Sequence, residues 1–185
     1  MTAAKKISPS PRSTSRKRAD PVPKPIGLQA ELRQTKSFDS LHDEAFLNLI
    51  RTAAQLQHAL HLQLKPYGIT ETQYNSLRIL RGAGSSGLTC AEIAERLVSQ
   101  DPDITRLVKR LQRQALVRTE RGEKDRRVVL TKITAAGLDR LKEADPVVNS
   151  TVHALLSHLS SSELKTMIDL LERARLFAEP SRGNG

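Results

Sequence analysis

Tryptophan is absent from this 185-residue sequence, and aromatic residues make up only 3% of it, from two Tyr and three Phe. A core so short of rings has to be assembled from Leu, Ile, Val and Ala, which favours packed helices over an aromatic-rich sandwich. The single cysteine, Cys90, excludes an internal disulfide framework and fits a reducing compartment. No apolar run reaches membrane-spanning length, and the first residues lack the apolar stretch of a secretory signal. The expected setting is therefore the cytoplasm, with no membrane partner. Reactive groupings are missing as well: there is no phosphate-cradling glycine loop, no metal-ligand set and no nucleophile beside a base, and the Gly82 to Gly87 stretch lacks the Lys of a P-loop. His58 and His61 share one helical turn, but no Cys or carboxylate is arranged around them, so neither a metal nor a cofactor is expected. These absences argue against an enzyme.

What the sequence has in excess is positive charge, a formal net of +10 with a pI near 10.2. Clustered Lys and Arg gain free energy by releasing counterions from phosphates, so a polyanionic partner is implied. The charge is uneven. Residues 1–37 hold nine Lys/Arg against Asp20 and Glu31, a net +7, with five of the nine prolines interleaved. Such a segment buries too little apolar surface to offset its ordering entropy and is expected to be a disordered basic tail. Residues 38–185 retain the remaining +3, yet Asp101 to Ile133 alone holds ten Lys/Arg and five Asp/Glu, a net +5. The rest of the body is therefore net negative, and its positive charge is gathered in one stretch.

From Ser40 the pattern turns helical. Phe46, Leu49, Ile50, Ala53, Leu56, Leu60 and Leu64 recur at three- and four-residue spacing in one stripe, which Pro66 and Gly68 stop. Thr70 with Gln73, and Thr89 with Glu92, are capping-box pairs that open two further helices, burying Tyr74, Leu77 and Leu80 in one and Ile93, Ala94 and Leu97 in the other. Asp101 as N-cap and Pro102 at the first helical position start a helix to Gln114 that buries Ile104, Leu107, Val108 and Leu111. Val117 to Arg121 and Arg126 to Ile133 are expected strands around a Gly122–Asp125 turn. Helical spacing resumes over residues 134–159, where Pro146 is expected to kink or break it. A last helix over residues 160–178 opens on Ser160 with Glu163 and buries Leu164, Met167, Ile168, Leu171, Ala174 and Ala178; residues 179–185 form a flexible end.

Two short helices, a tight connection and a two-stranded hairpin make a winged helix-turn-helix, whose second helix enters the major groove of DNA. The fold class expected is mainly α with a small β-hairpin wing, the DNA-binding part over residues 70–133 being flanked by dimerisation helices in a single domain over residues 38–178. At 100° per residue the helix after Pro102 divides cleanly: Ile104, Leu107, Val108 and Leu111 on one side, Arg106, Lys109, Arg110 and Arg113 on the other. Thr105, Arg106 and Lys109, near the inserted end, are the candidate base readers, with Arg106 suited to guanine and Thr105 to a thymine methyl. Arg110 and Arg113 suit phosphates, and Arg126 and Arg127 at the hairpin tip suit the adjacent minor groove. Asp101 and Asp103 suit capping or the orientation of a neighbouring Arg, and Asp125 an intramolecular clamp.

Tyr67-Gly68-Ile69-Thr70-Glu71-Thr72-Gln73-Tyr74, Leu88 to Leu97, Pro102 to Leu111 and a wing with Asp125, Arg127, Thr134 and Gly137 together resemble the multiple-antibiotic-resistance regulator (MarR) family over about residues 40–178. Ala115 stands where that family usually has Gly before Leu-Val, a position of left-handed backbone that Gly adopts freely, and Cys90 where Pro is common. The resemblance implies an obligate homodimer on a pseudo-palindromic operator, usually repressing transcription, and release of DNA by a small lipophilic or phenolic effector. The residues agree on the dimer: three amphipathic helices around so small a DNA-binding core have more apolar stripe than one subunit can cover. For the effector, His42, Phe46, His61 and Tyr74 are the candidate lining. Cys90 at a helix N-terminus is read as an inert small residue rather than a redox switch. The expected function is a sequence-specific, ligand-responsive repressor on double-stranded DNA. The alternative is a non-specific architectural protein using the basic tail.

Overall fold

The computed structural model describes residues 26–99, 103–122 and 125–177. It divides into two units, the first ending at Lys36. Within the stretch expected as tail, the described part contains one helical turn, α1 (Leu28–Glu31), built from four good helix formers after Gly27. Residues 1–25 and 178–185 lie outside the described residues.

The second unit begins with α2 (Leu41–Leu64), whose N-terminus is capped by the Ser40 hydroxyl. Lys65–Tyr67 form a 3₁₀ turn that ends on left-handed Gly68, and α3 (Glu71–Ala83) follows, with the Thr70 and Gln73 capping box complete in both directions. The same box, from Thr89 and Glu92, opens α4 (Cys90–Arg96). Then come α5 (Ile104–Arg113), strands β1 (Val117–Arg121) and β2 (Val129–Ile133), α6 (Ala135–Leu156) and α7 (Ser161–Leu176), the last opened by the Ser160 and Glu163 box. The strands pair antiparallel from Val117 opposite Ile133 to Arg121 opposite Val129. Leu88 adds a bridge to Thr131, with N–H to O distances of 2.9 and 2.7 Å, pinning the chain before α4 to the wing.

One core holds this part together. Leu64 and Ile69, then Tyr74, Leu77 and Leu80 of α3, Leu88, Ile93 of α4, Val108 and Leu111 of α5, Leu116 and Val117 at the start of the wing, and Leu141, Ala144 and Val148 of α6 form a single buried cluster. Only aliphatic side chains and one Tyr contribute, as the poverty of rings requires.

Four expectations are corrected. The N-cap of α5 is Asp103, whose carboxylate accepts the Arg106 N–H at 3.0 Å; Asp101 and Pro102, expected to begin that helix, lie outside the described residues. Strand β2 begins at Val129 rather than Arg126, because Asp125 turns the chain: its side chain accepts the Arg127 N–H at 2.9 Å and its carbonyl accepts the Val128 N–H at 3.1 Å. Of the kink or break expected at Pro146, the break does not occur, since α6 runs on to Leu156; buried Ala144 and Val148 on either side hold it against the core despite the missing N–H. Finally, α7 buries no residue at all, and on the stripe of α2 only Leu64 is buried, while Phe46 is 63% and Ile50 54% exposed. The stripes exist, but one subunit leaves them uncovered.

Candidate nucleic-acid interface

Helix α5 is amphipathic as its periodicity demands. Leu107, Val108 and Leu111 are buried and Ile104 packs on the core, whereas Thr105, Arg106, Lys109, Arg110 and Arg113 are exposed. Its N-terminal approach is tied to α3 by the Val98 N–H, which donates to Asn75 Oδ1 at 3.1 Å. Its C-terminus is closed by a Schellman motif: Leu116 N–H reaches Leu111 carbonyl at 3.0 Å and Ala115 N–H reaches Gln112 carbonyl at 2.8 Å, with Ala115 at φ 57°. Ala115 thus takes the left-handed conformation that Gly would adopt without strain. Gln112 then ties the helix to the wing by donating to Thr119 Oγ1 at 2.8 Å.

Two acids lie among these basic groups, and each grips an Arg. Asp103 accepts the Arg106 backbone N–H with Oδ1 and holds Arg106 Nε at 2.9 Å with Oδ2. At the wing tip Asp125 caps the Arg127 N–H, while the Arg127 side chain is 96% exposed. Arg126 is exposed beside it, and Arg121 reaches the Arg126 carbonyl at 3.5 Å. Further down the hairpin Glu120 pairs with both Lys132 and Arg118, and the hydrogen bond from Lys132 above all holds its carboxyl below the ordinary range. Those two cations are committed within the protein. On α5 and the wing tip, by contrast, Lys109, Arg110, Arg113 and Arg126 are exposed.

Of the four residues expected to line an effector site, His42 and Phe46 lie one turn apart on α2 and Tyr74 on α3. His42 and Phe46 are exposed on α2, and Tyr74 is 6% exposed in the core, where its hydroxyl donates to Asp145 Oδ1 at 2.6 Å. Arg81 holds the other oxygen of Asp145, also at 2.6 Å, and Arg78 lies over the Tyr74 ring at 5.8 Å. Burial, and then the hydrogen bond with Asp145, push the Tyr74 hydroxyl up to about 12. Burial by itself would raise the Asp145 carboxyl, but the hydrogen bonds from Arg81 and Tyr74 outweigh it and hold that carboxyl below its usual range. Only His61 borders a cavity, of about 340 Å³, with Gln57, His58, Glu71, Thr72 and Ser99; His61 Nδ1 lies 3.2 Å from Glu71 Oε1. Of these partners only His58 stood out by residue type, because residues from three segments meet there through tertiary packing alone. Burial pushes the Cys90 thiol up. Among the described residues no group of three or more His, Cys, Asp or Glu is placed to hold a metal, and no helix is long and apolar enough to cross a membrane.

A helix, a turn, a second helix with a basic face and a two-stranded wing, in that order on one core, define a winged helix-turn-helix DNA-binding protein. Residues 67–128 match the model of the MarR family. The crystal structure of a MarR transcription factor from Planctomyces limnophilus is 38% identical, with 74% of this chain and 98% of that one covered and a TM-score of 0.57. This chain belongs to the MarR family of transcriptional regulators. The HTH-type transcriptional repressor YetL of Bacillus subtilis is 26% identical over 140 residues, 74% of this chain and 84% of that protein. The PcaV transcriptional regulator of Streptomyces coelicolor, crystallised with its natural ligand, is 28% identical, covering 69% of this chain and 92% of that one at a TM-score of 0.57.

Proposed function

We propose that this regulator is a ligand-responsive repressor that binds a pseudo-palindromic operator as a homodimer, reading bases with α5 and holding phosphates and the minor groove with the wing. The observation that carries the reading is the division of α5: one face closes the core, and the other presents Thr105, Arg106, Lys109, Arg110 and Arg113 to solvent at the point where positive charge is concentrated. Arg106 and Lys109, within the first two turns after the N-cap, are the readers with Thr105; Arg110 and Arg113 are anchors, as are Arg126 and Arg127 on the wing. Two-fold symmetry then sets two such helices about 34 Å apart, one turn of DNA.

A second copy of the chain is the natural cover for α2 and α7. Phe46, Ile50, Ile168, Leu176 and Phe177 are all more than half exposed in a single subunit, an apolar display that a lone soluble chain does not maintain. Repression is the activity named for YetL, and a ligand-bound form is known for PcaV. For the effector, the cavity at Gln57, His58, His61, Glu71, Thr72 and Ser99 is the site offered. Its lining calls for a small molecule with a hydrogen-bonding head, such as a phenolic hydroxyl. It lies between a dimerisation helix and the start of the DNA-binding part, so an occupant would bear on both.

Gel-shift titration of the chain's own promoter DNA against random DNA tests the reading. Preference for the promoter by about a thousandfold or more supports it. Equal affinity for both, with a steep salt dependence abolished by deleting residues 1–37, would instead establish non-specific binding through the basic tail.

A further inference from the structure

Among the described residues six helices are capped by a side chain, and five of those caps are the hydroxyls of Ser40, Thr70, Thr89, Thr134 and Ser160. The sixth is a carboxylate, Asp103, on the helix whose exposed face is basic. A cap needs one acceptor oxygen, and a hydroxyl supplies it without the repulsion a carboxylate meets near phosphates. Asp103 does more than cap. Both of its oxygens engage a single residue: Oδ1 takes the Arg106 backbone N–H at 3.0 Å, and Oδ2 takes Arg106 Nε at 2.9 Å.

That geometry matters because of the edge it uses. A guanidinium has an inner edge that includes Nε and an outer edge formed by Nη1 and Nη2, and either can donate a parallel pair of hydrogen bonds. With Nε held by Asp103, the outer edge is the fork that remains, on a side chain that is still 81% exposed. The pair borders a shallow cleft of about 150 Å³, with Leu107 and Arg110 completing its rim. An untethered Arg would lose its rotamer freedom on meeting a base, whereas this one has already surrendered part of it. In water an exposed ion pair of this kind contributes little, but DNA excludes water from the contact and strengthens it where it is needed.

We propose that Asp103 is a specificity-determining positioning residue: it fixes Arg106 so that Nη1 and Nη2 meet O6 and N7 of one guanine in each half-site. This rests on the reading of α5 as the base-reading helix. The carboxylate works through Arg106, and its repulsion from the phosphates also weakens binding to a site that presents no guanine to offset it. The cost falls on wrong sequences more than on the right one.

Selection from randomised duplex DNA, with the full-length chain, tests the proposal. The wild type is expected to select guanine at one position of each half-site, preferring it by at least about fivefold in Kd. Asp103→Asn keeps the cap, because Asn is as good an N-cap as Asp, but its amide cannot hold Nε without surrendering one role. It is expected to melt within a few degrees of the wild type while the guanine preference falls below about twofold and binding to other sequences is unchanged or tighter. Asp103→Ser, a second capping residue too short to reach Nε, is expected to behave alike and guards against a folding defect peculiar to Asn. In an Arg106→Ala background Asp103→Asn is expected to leave base preference unchanged, whatever it does to overall affinity. An undiminished guanine preference in Asp103→Asn and Asp103→Ser would overturn the proposal, as would a change in preference that persists without Arg106, which would make Asp103 itself a base reader. A wild type that selects no sequence would overturn the reading of α5 and this proposal with it.

Discussion

The hydroxyl of Thr134 donates to the carbonyl of Ala115 at 2.7 Å and accepts the Gly137 N–H at 3.1 Å, so one side chain closes the end of α5 and opens α6. The Thr134 N–H reinforces the joint by donating to the Leu116 carbonyl at 3.1 Å. Thr134→Ala removes the cap and leaves the Ala115 carbonyl unsatisfied. It is expected to lower stability by about 1–2 kcal/mol in urea unfolding, and Thr134→Ser is expected to recover most of that.

Ala115 carries the cost of its positive φ, 57°. Holding a residue with a Cβ in that conformation costs about 1–2 kcal/mol, part of which Gly offsets by its greater freedom when unfolded. Ala115→Gly is therefore expected to raise the unfolding free energy by up to about 1 kcal/mol, read as a higher urea midpoint with an unchanged slope. The opposite holds at Gly137, where a Cβ would sit 2.3 Å from the Leu116 carbonyl oxygen, a backbone atom that cannot move aside. Gly137→Ala should cost about 3 kcal/mol or more, the upper end of overpacking, and shift the wing against α6.

Asp145 gives stability a dependence on pH at both ends. Its carboxyl is held below the ordinary 3.8, so its contribution is complete above that pH and is lost as pH falls through the folded value. Tyr74 is raised from 10.0 to about 12, so its contribution is complete below pH 10.0 and is lost as pH climbs toward 12. Asp145→Asn is expected to destabilise by about 1–3 kcal/mol at pH 7 and to flatten the acid limb of a stability profile; Tyr74→Phe, costing about 1 kcal/mol, should flatten the alkaline limb. Profiles parallel to that of the wild type would show that the network does not couple folding to protons.

Arg106 and Arg113 share a face but should differ in what their loss does. Arg106→Ala is expected to cost about 1–3 kcal/mol on the preferred sequence and to relax base choice, whereas Arg113→Ala should weaken all sequences alike and lower the salt slope by about one per lost phosphate contact. Binding isotherms at several salt concentrations on cognate and random duplexes separate the two, and identical losses would refute the division.

The uncovered stripes predict an oligomeric state. Ile168, 52% exposed in one subunit, appears twice in a symmetric dimer, so Ile168→Glu should remove about 1.5–3 kcal/mol of apolar burial and raise the dimer dissociation constant by about tenfold or more. Sedimentation velocity is expected to show a wild-type dimer and a variant monomer. A wild type that sediments as a monomer at micromolar concentration would refute the homodimer.

Much of this molecule is determined within a few residues along the chain. The capping boxes at Thr70 and Gln73, Thr89 and Glu92, and Ser160 and Glu163 each join residues three apart, and the chain itself holds such partners within reach, so residue type alone places those helix starts. The two faces of α5 follow equally from 100° per residue, which is why its exposed basic groups were legible, whereas the left-handed position of Ala115 was legible only through the family resemblance. The cap of α5 was not, because Asp101 and Asp103 offer the same carboxylate two residues apart and only the path of the chain selects one. Nor was the partnership of Asp145 with Tyr74 and Arg81, 71 and 64 residues distant, or the assembly of Gln57, Glu71 and Ser99 around one cavity. Periodicity marks which face of a helix is apolar, but what meets that face depends on how whole elements pack. Tertiary structure alone therefore decided that Tyr74 is locked in the core and that the stripes of α2 and α7 lie open.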